Sequence, residues 1–292
     1  MHEEESKVYF DGSHYIAIPK IEQTQKKRKN FYTNNYVKQE EKIKEIYKKN
    51  KEKPKNEKLK CAIEEINKEI QNEEKSKEIV DRVLAKETRN MIVRRVRMFR
   101  KANLQKWNYF CTFTYDSNKL TDFEFRQKLL NTLRHFSNRK GWRYIGVFEL
   151  SPQKRRLHFH GLFYIPIMVG EIIPKRDYST KNHKMQTTYQ NTFFLEKYGR
   201  NDFNPINSQI ELTISLRYLV KYINKTGEKI IYSKHLGTYF RAIILKEDVI
   251  CPIGQEDRKQ LLFDDFTCID PDTGEYYGKV SPEIIEKMPK AY

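Results

Sequence analysis

Apolar residues along this chain switch repeatedly between two spacings, and each switch marks a change of element. From Cys61 to Lys101 the apolar positions recur at three- and four-residue steps, with Ile63, Ile66 and Ile70 followed by Ile79, Val83 and Leu84; that period predicts helix. From Tyr109 to Tyr115 the run is aromatic and β-branched (Tyr-Phe-Cys-Thr-Phe-Thr-Tyr) and reads as a strand closed by Asp116-Ser117-Asn118. Thr121, with Glu124 three residues on, has the form of a capping box and opens a helix to about Asn138 whose buried face carries Phe125, Leu129 or Leu130, Leu133 and Phe136. Two further strands are expected at 143–150 and 157–165, antiparallel neighbours because the segment between them is short. Residues 167–205 read as an insertion with turns and a hairpin, 209–213 as a strand, and 214–225 as a helix. Residues 1–60 are polar and weakly periodic, and read as solvated or flexible apart from a short strand near Tyr9, Phe10, Tyr15, Ile16 and Ile18; Pro54 divides any helix before it from one after it. The fold class is therefore α+β, a central antiparallel sheet flanked by helices and preceded by a basic, partly helical N-terminal extension. The boundary is expected near residues 104 and 105, with core motifs over 108–230.

Charge narrows the partner. The 292 residues carry a formal net charge of +17, which calls for a polyanion, and nucleic acid is the default candidate. No run of eighteen apolar residues and no signal peptide is read from the sequence, so a membrane partner is not expected and the cytoplasm of a host bacterial cell is. The four cysteines, Cys61, Cys111, Cys251 and Cys268, form no CxxC pair, which argues against a zinc site or a disulfide framework. Aromatic residues make up 13% of the chain and are interleaved with lysine and arginine, a combination suited to the unpaired bases of single-stranded DNA. Arg94, Arg95, Arg97, Arg100 and Lys101 at the end of the 61–101 helix are candidates for phosphate contact. A GxxxxGK[ST] phosphate loop is not found, which excludes a fused ATPase of that type.

Two motifs carry chemistry. In Leu157-His158-Phe159-His160-Gly161-Leu162 the histidines stand two apart on a strand, so both imidazoles project to one face. If the hairpin turns at Gln153-Lys154, position 149 lies opposite position 158, and Glu149 joins the histidines as a third candidate metal ligand about 5 Å away. Such a His-His-Glu set suits Mg²⁺ or Mn²⁺. The second motif is Tyr218-Leu219-Val220-Lys221-Tyr222-Ile223-Asn224-Lys225. On a helical wheel Leu216, Leu219, Val220 and Ile223 form the buried stripe, while Tyr218, Lys221, Tyr222 and Lys225 fall on the opposite side within roughly 100° of arc. The tyrosine hydroxyls, one turn apart, are candidate nucleophiles; the lysines are candidates for lowering a phenol pKa and holding a phosphate.

The strand Phe113-Thr114-Tyr115-Asp116, the His-Phe-His triplet and the Tyr-x-x-Lys-Tyr-x-x-Lys segment, in that order, resemble the HUH rolling-circle replication initiators, most closely the two-tyrosine branch of single-stranded DNA phages, plasmids and prophages. The resemblance covers about residues 105–230. It implies an endonuclease and strand transferase that binds Mg²⁺ or Mn²⁺ through His158, His160 and Glu149. It implies nicking of single-stranded origin DNA by Tyr218 and Tyr222 through a 5′-phosphotyrosine, and a 3′-OH left for the host polymerase, with a host helicase as a further partner. The alternatives are an HUH transposase or plasmid mobilisation relaxase, although relaxases usually place the tyrosine before the histidines, and a non-catalytic DNA-binding protein. Phage or plasmid origin and oligomeric state are left open by the sequence.

Overall fold

The computed structural model describes residues 4–20, 34–50, 52–151, 156–179, 183–226, 228–253 and 258–291. The chain divides into two units, one made of Met1–Lys20 with Val96–Tyr292 and the other of Ile21–Arg95. Helices of the second unit are α1 (Asn34–Lys49), α2 (Lys55–Ile70) and the first part of α3 (Glu73–Asn103), the division falling within α3. Its core is small and aliphatic: Ile43, Ala62, Ile66, Val80 and Val83 are all buried. Helix α1 lies where the weak periodicity of residues 1–60 suggests solvated chain. Lysine and glutamate mask its pattern, and ion pairs such as Lys42 with Glu65 and Glu69 across to α2 connect those charges. The expected 61–101 helix is interrupted at Gln71, which takes a left-handed conformation (φ 54°) and ends α2. The basic run at Lys26-Lys27-Arg28-Lys29 lies outside the described residues.

The first unit holds the strands β1 (Glu4–Phe10), β2 (Tyr15–Pro19), β3 (Tyr109–Thr114), β4 (Arg143–Leu150), β5 (Leu157–Tyr164), β6 (Ile172–Ser179), β7 (Lys184–Asn191), β8 (Asn201–Pro205), β9 (Ile231–Tyr232), β10 (Tyr239–Ile244), β11 (Val249–Ile253), β12 (Lys259–Leu262), β13 (Thr267–Ile269), β14 (Tyr276–Lys279) and β15 (Lys290–Ala291). Its helices after α3 are α4 (Asp122–Lys140), α5 (Thr192–Lys197), α6 (Gln209–Thr226) and α7 (Pro282–Lys287). Among the described residues the strands form a five-stranded sheet ordered β8-β3-β5-β4-β9, an eight-stranded sheet ordered β11-β12-β2-β1-β10-β13-β14 with β15 beside β10, and the β6-β7 hairpin. All pairings within these sheets are antiparallel, so the architecture is α+β as expected. The short N-terminal strand expected from the sequence is the pair β1 and β2, which joins strands from the far end of the chain: Val8 lies opposite Phe240 and Ala17.

The five-stranded sheet positions the candidate site, and its alternation explains how. Opposed residues share a face, and one row runs Phe113–Phe159–Phe148, all three buried. That face meets Phe125, Leu129, Leu133 and Phe136 of α4 and Phe194 of α5. Each aromatic buried there contributes on the order of 1.5–3 kcal/mol relative to exposure. The intervening residues, Thr112, Thr114, Ile145, Val147, Glu149, His158, His160 and Leu162, point to the other face, where Ile145, Val147 and Leu162 pack against Leu212, Leu216, Leu219 and Val220 of α6. Helix α4 begins with the Thr121–Glu124 capping box. The segment 209–213, expected as a strand, is instead the first turn of α6: Ser208 Oγ accepts from Glu211 N at 3.2 Å and the Glu211 carboxylate accepts from Asn207 N at 2.6 Å. Capping by these two side chains moves the helix start upstream of the aliphatic stripe.

Candidate active site

The site grows from two adjacent rows of the sheet. In one row Thr114, His158 and Glu149 lie side by side on β3, β5 and β4; in the next stand Thr112, His160 and Val147. Glu149 is thus opposite His158, as the hairpin register predicts; the turn at Gln153-Lys154 itself lies outside the described residues. Thr114 Oγ1 is 2.8 Å from His158 Nδ1 and Thr112 Oγ1 is 3.1 Å from His160 Nδ1. Each histidine is therefore held through Nδ1, leaving Nε2 to face outward from the sheet. A hydrogen bond to the second ring nitrogen is the usual means of orienting an imidazole toward a metal. Neither threonine is given a role from the sequence, although Thr114 belongs to the Phe113–Asp116 motif; the Thr-x-Thr spacing on β3 mirrors the His-x-His spacing on β5 and is a signal that could have found that role.

Burial sets the charge states. Desolvation, with a smaller contribution from neighbouring His160, pushes the His158 pKa down to about 4, so that its ring is neutral at pH 7. His160 and Glu149 are both buried, with Nε2 and Oε2 separated by 3.3 Å. His160 Nε2 nevertheless makes no hydrogen bond. A buried nitrogen without one, beside a carboxylate, fits a cation: two neighbouring ligands each about 2.1 Å from an ion stand about 3 Å apart. Among the described residues no group of three or more His, Cys, Asp or Glu side chains is gathered closely enough to hold a metal ion, so the structure brings His160 and Glu149 together but does not gather His158 with them as a three-ligand set. The His158 and His160 ring centroids are 6.0 Å apart.

Helix α6 brings both tyrosines to this face. Tyr222 stacks on His160 with ring centroids 4.9 Å apart and planes 4° from parallel, and Tyr218 meets the same imidazole edge-on at 5.7 Å. The two phenol rings are 4.7 Å apart. The helical wheel sets them opposite the core; Tyr222 is in fact buried and Tyr218 remains 39% exposed. The discrepancy is one of arc: the sheet covers Leu219 and the positions beside it, so the tyrosines border the aliphatic stripe instead of opposing it. Burial raises the Tyr222 pKa, and hydrogen bonding to Tyr218 and to Glu149 raises it further. Its hydroxyl is neutral at pH 7. Lys221 is exposed, and the side chain of Lys225 lies outside the described residues.

Support for the site comes from α4. Asp122 Oδ1 accepts from the Tyr115 hydroxyl at 2.6 Å and from Leu157 N at 3.3 Å, tying the start of β5 to the end of β3. Burial, and then that bond to a carboxylate, push the Tyr115 phenol up to about 12. Residues 108–227 match the family model of the replication-associated protein ORF2. The matched stretch contains every residue of the site. It supports a replication-initiator family, a role in replication and interaction with DNA at an origin. No curated protein and no solved structure shows a match. Among the described residues no helix is long and apolar enough to cross a membrane.

Proposed function

We propose that the chain is a metal-dependent endonuclease and strand transferase that nicks single-stranded origin DNA in rolling-circle replication. The observation that carries this reading is the contact of Tyr218 and Tyr222 with His160, together with the hydrogen bond from Tyr222 to Glu149. Nucleophile candidates and metal-ligand candidates that are far apart in sequence share one face of one sheet. His158, His160 and Glu149 are the residues that would hold Mg²⁺ or Mn²⁺. Such an ion, when bound, withdraws charge from the phosphate oxygens.

The protein's own groups do the rest. A tyrosine oxygen forms a bond to phosphorus, the bond from phosphorus to the 3′ oxygen breaks, and the phenolic proton leaves to a base or water while the 3′ oxygen is protonated. The product is a 5′-phosphotyrosine and a free 3′-OH. Rejoining is the reverse, with a 3′-OH attacking the phosphotyrosine. Tyr218, half exposed, is the accessible nucleophile; Tyr222 is held neutral within the site. Lys221 and Lys225 are assigned to phosphate binding.

The test is a denaturing gel of full-length protein with labelled single-stranded origin oligonucleotide and Mn²⁺ or Mg²⁺. A covalent adduct that disappears in Tyr218→Phe/Tyr222→Phe and in His158→Ala/His160→Ala is expected. Undiminished adduct in the double tyrosine variant would overturn the reading.

A further inference from the structure

At the opposite end of α6 from the tyrosines, within the first unit, lies a cavity of about 450 Å³ walled by elements of both sheets. That volume is within the range of small-molecule sites. Its charges do not balance. Lys106, Arg143 and Lys290 line it with a single carboxylate, Glu286. Lys106 Nζ is 2.9 Å from that carboxylate, and Lys290 Nζ donates to the Glu286 backbone carbonyl at 3.0 Å. Arg143 donates to the neutral Gln105 side chain at 2.8 Å. Three cations facing one anion favour an incoming anion. Burial lowers the Lys290 pKa, the Glu286 carboxylate opposes the shift and the Arg143 guanidinium adds to it. Added negative charge would relieve that cost.

The remaining wall is apolar, with the rings of Phe10, Tyr15 and Trp107 beside Leu104, Ile206, Leu212 and Ile285. Phe10 and Tyr15 stack at 4.5 Å, and Trp107 has its indole N–H committed to the Ala102 carbonyl at 2.7 Å. Asn103 also lines the cavity. Asn207, Ser208 and Gln209 bring the N-terminus of the eighteen-residue α6 to the same space, where the Glu211 carboxylate already accepts from Asn207 N. Aromatic rings and excess positive charge are the recognition chemistry of a base joined to a phosphate.

We infer that this cavity binds one nucleotide unit, its base against the aromatic wall and its phosphate among Lys106, Arg143 and Lys290. Gln209 and Tyr218 are nine residues apart on one helix, about 14 Å along its axis. A DNA strand held here would reach the tyrosines within a few nucleotides. In naming DNA as the source, the inference rests on the replication reading; a free nucleotide is the other source of the same chemistry.

Binding is measured on the full chain in EDTA, by fluorescence anisotropy of a short mixed-sequence single-stranded oligonucleotide and by competition with dAMP. No cleavage is involved, so loss or retention of nicking leaves these outcomes untouched. Arg143→Gln/Lys290→Gln is expected to weaken oligonucleotide binding about tenfold and to lower the salt slope by roughly 0.7 for each phosphate no longer neutralised. If oligonucleotide affinity is unchanged but dAMP binding falls in the variant, the occupant is a free nucleotide and the assignment to DNA is overturned. If neither ligand distinguishes variant from wild type, the whole inference is overturned. Should the variant not fold, wild-type protein is photo-crosslinked separately to an iododeoxyuridine oligonucleotide and to azido-dAMP. Label on peptides bearing Phe10, Tyr15 or Trp107 supports the site, and label confined to other peptides overturns it.

Discussion

The Tyr222 ring lies almost flat on the His160 imidazole, 4.9 Å between centroids, while Tyr218 one turn earlier touches the same imidazole by its edge and keeps 39% of its surface in solvent. The two phenols are therefore not equivalent. Tyr222 must give up its place beside Glu149, or receive the strand in a rearranged site, before its oxygen can attack. Tyr218→Phe is expected to cut the first cleavage at least tenfold, whereas Tyr222→Phe retains it and loses the second transfer. Single-turnover adduct formation followed by strand joining on a two-oligonucleotide substrate separates the steps. Equal loss of first cleavage in both variants would contradict the ordering.

Thr112 and Thr114 are positioning residues for the histidines. Thr114→Val keeps the volume and removes the Oγ1 that sits 2.8 Å from His158 Nδ1. Loss of such an outer partner typically lowers metal affinity about 10–100-fold. The Mn²⁺ concentration for half-maximal adduct should rise by that factor, with Thr114→Ser restoring most of it. A variant with unchanged metal dependence and lowered thermal stability would reduce Thr114 to a packing role.

Much of this site is legible in the sequence. Strand alternation sets the shared face of His158 and His160, and the short hairpin sets Glu149 opposite His158, because both depend on residues close along the chain. The capping box at Thr121 is equally local. Pairings between distant segments are not legible: β1 lies against β10, more than two hundred residues away, and no local pattern encodes that register. Helix α6 shows the intermediate case. Leu216, Leu219 and Val220 of its aliphatic stripe are buried where the wheel puts them, the side chain of Ile223 lying outside the described residues, but how far around the helix the sheet reaches depends on packing, and that decides the burial of Tyr222. The strand expected at 209–213 fails for a different reason, since Ser208 and Glu211 hold a capping signal that β-branched and apolar neighbours obscure.

Gly146 and Gly161 oppose each other across β4 and β5, in the row next to His160. A methyl group on Gly146 would run into the Phe159 ring and come within 2.8 Å of the His160 carbonyl; one on Gly161 would meet the Ile145 carbonyl at 2.9 Å. Gly146→Ala should destabilise the first unit by about 1–3 kcal/mol through overpacking. Both tryptophans, Trp107 and Trp142, belong to that unit, so urea unfolding followed by their fluorescence reads it directly. An unchanged midpoint would mean that the aromatic layer yields more readily than its burial indicates.

Acid should loosen the join between the N-terminal strand and the rest of its sheet. Arg241 on β10 donates to Glu5 of β1 at 2.6 Å and, through two nitrogens, to Asp272 at 2.7 and 3.0 Å. The hydrogen bond from Arg241, followed by that from Lys20, holds the Glu5 carboxyl below the usual range, which lies near about 4.3. A folded-state pKa below the unfolded one means that the unfolded chain takes up the proton first. The stabilisation is therefore complete above about pH 5 and disappears as pH falls through about 4 toward the folded value. Arg241→Ala should cost about 1–2 kcal/mol at pH 7, in keeping with a partly buried, bidentate pair. The difference from wild type should shrink when the same urea titration is run near pH 3. Hydrogen exchange of the Val8 and Phe240 amides in β1 and β10 locates the effect. A difference that stays constant between the two pH values would show that Arg241 acts through packing and not through its carboxylate partners.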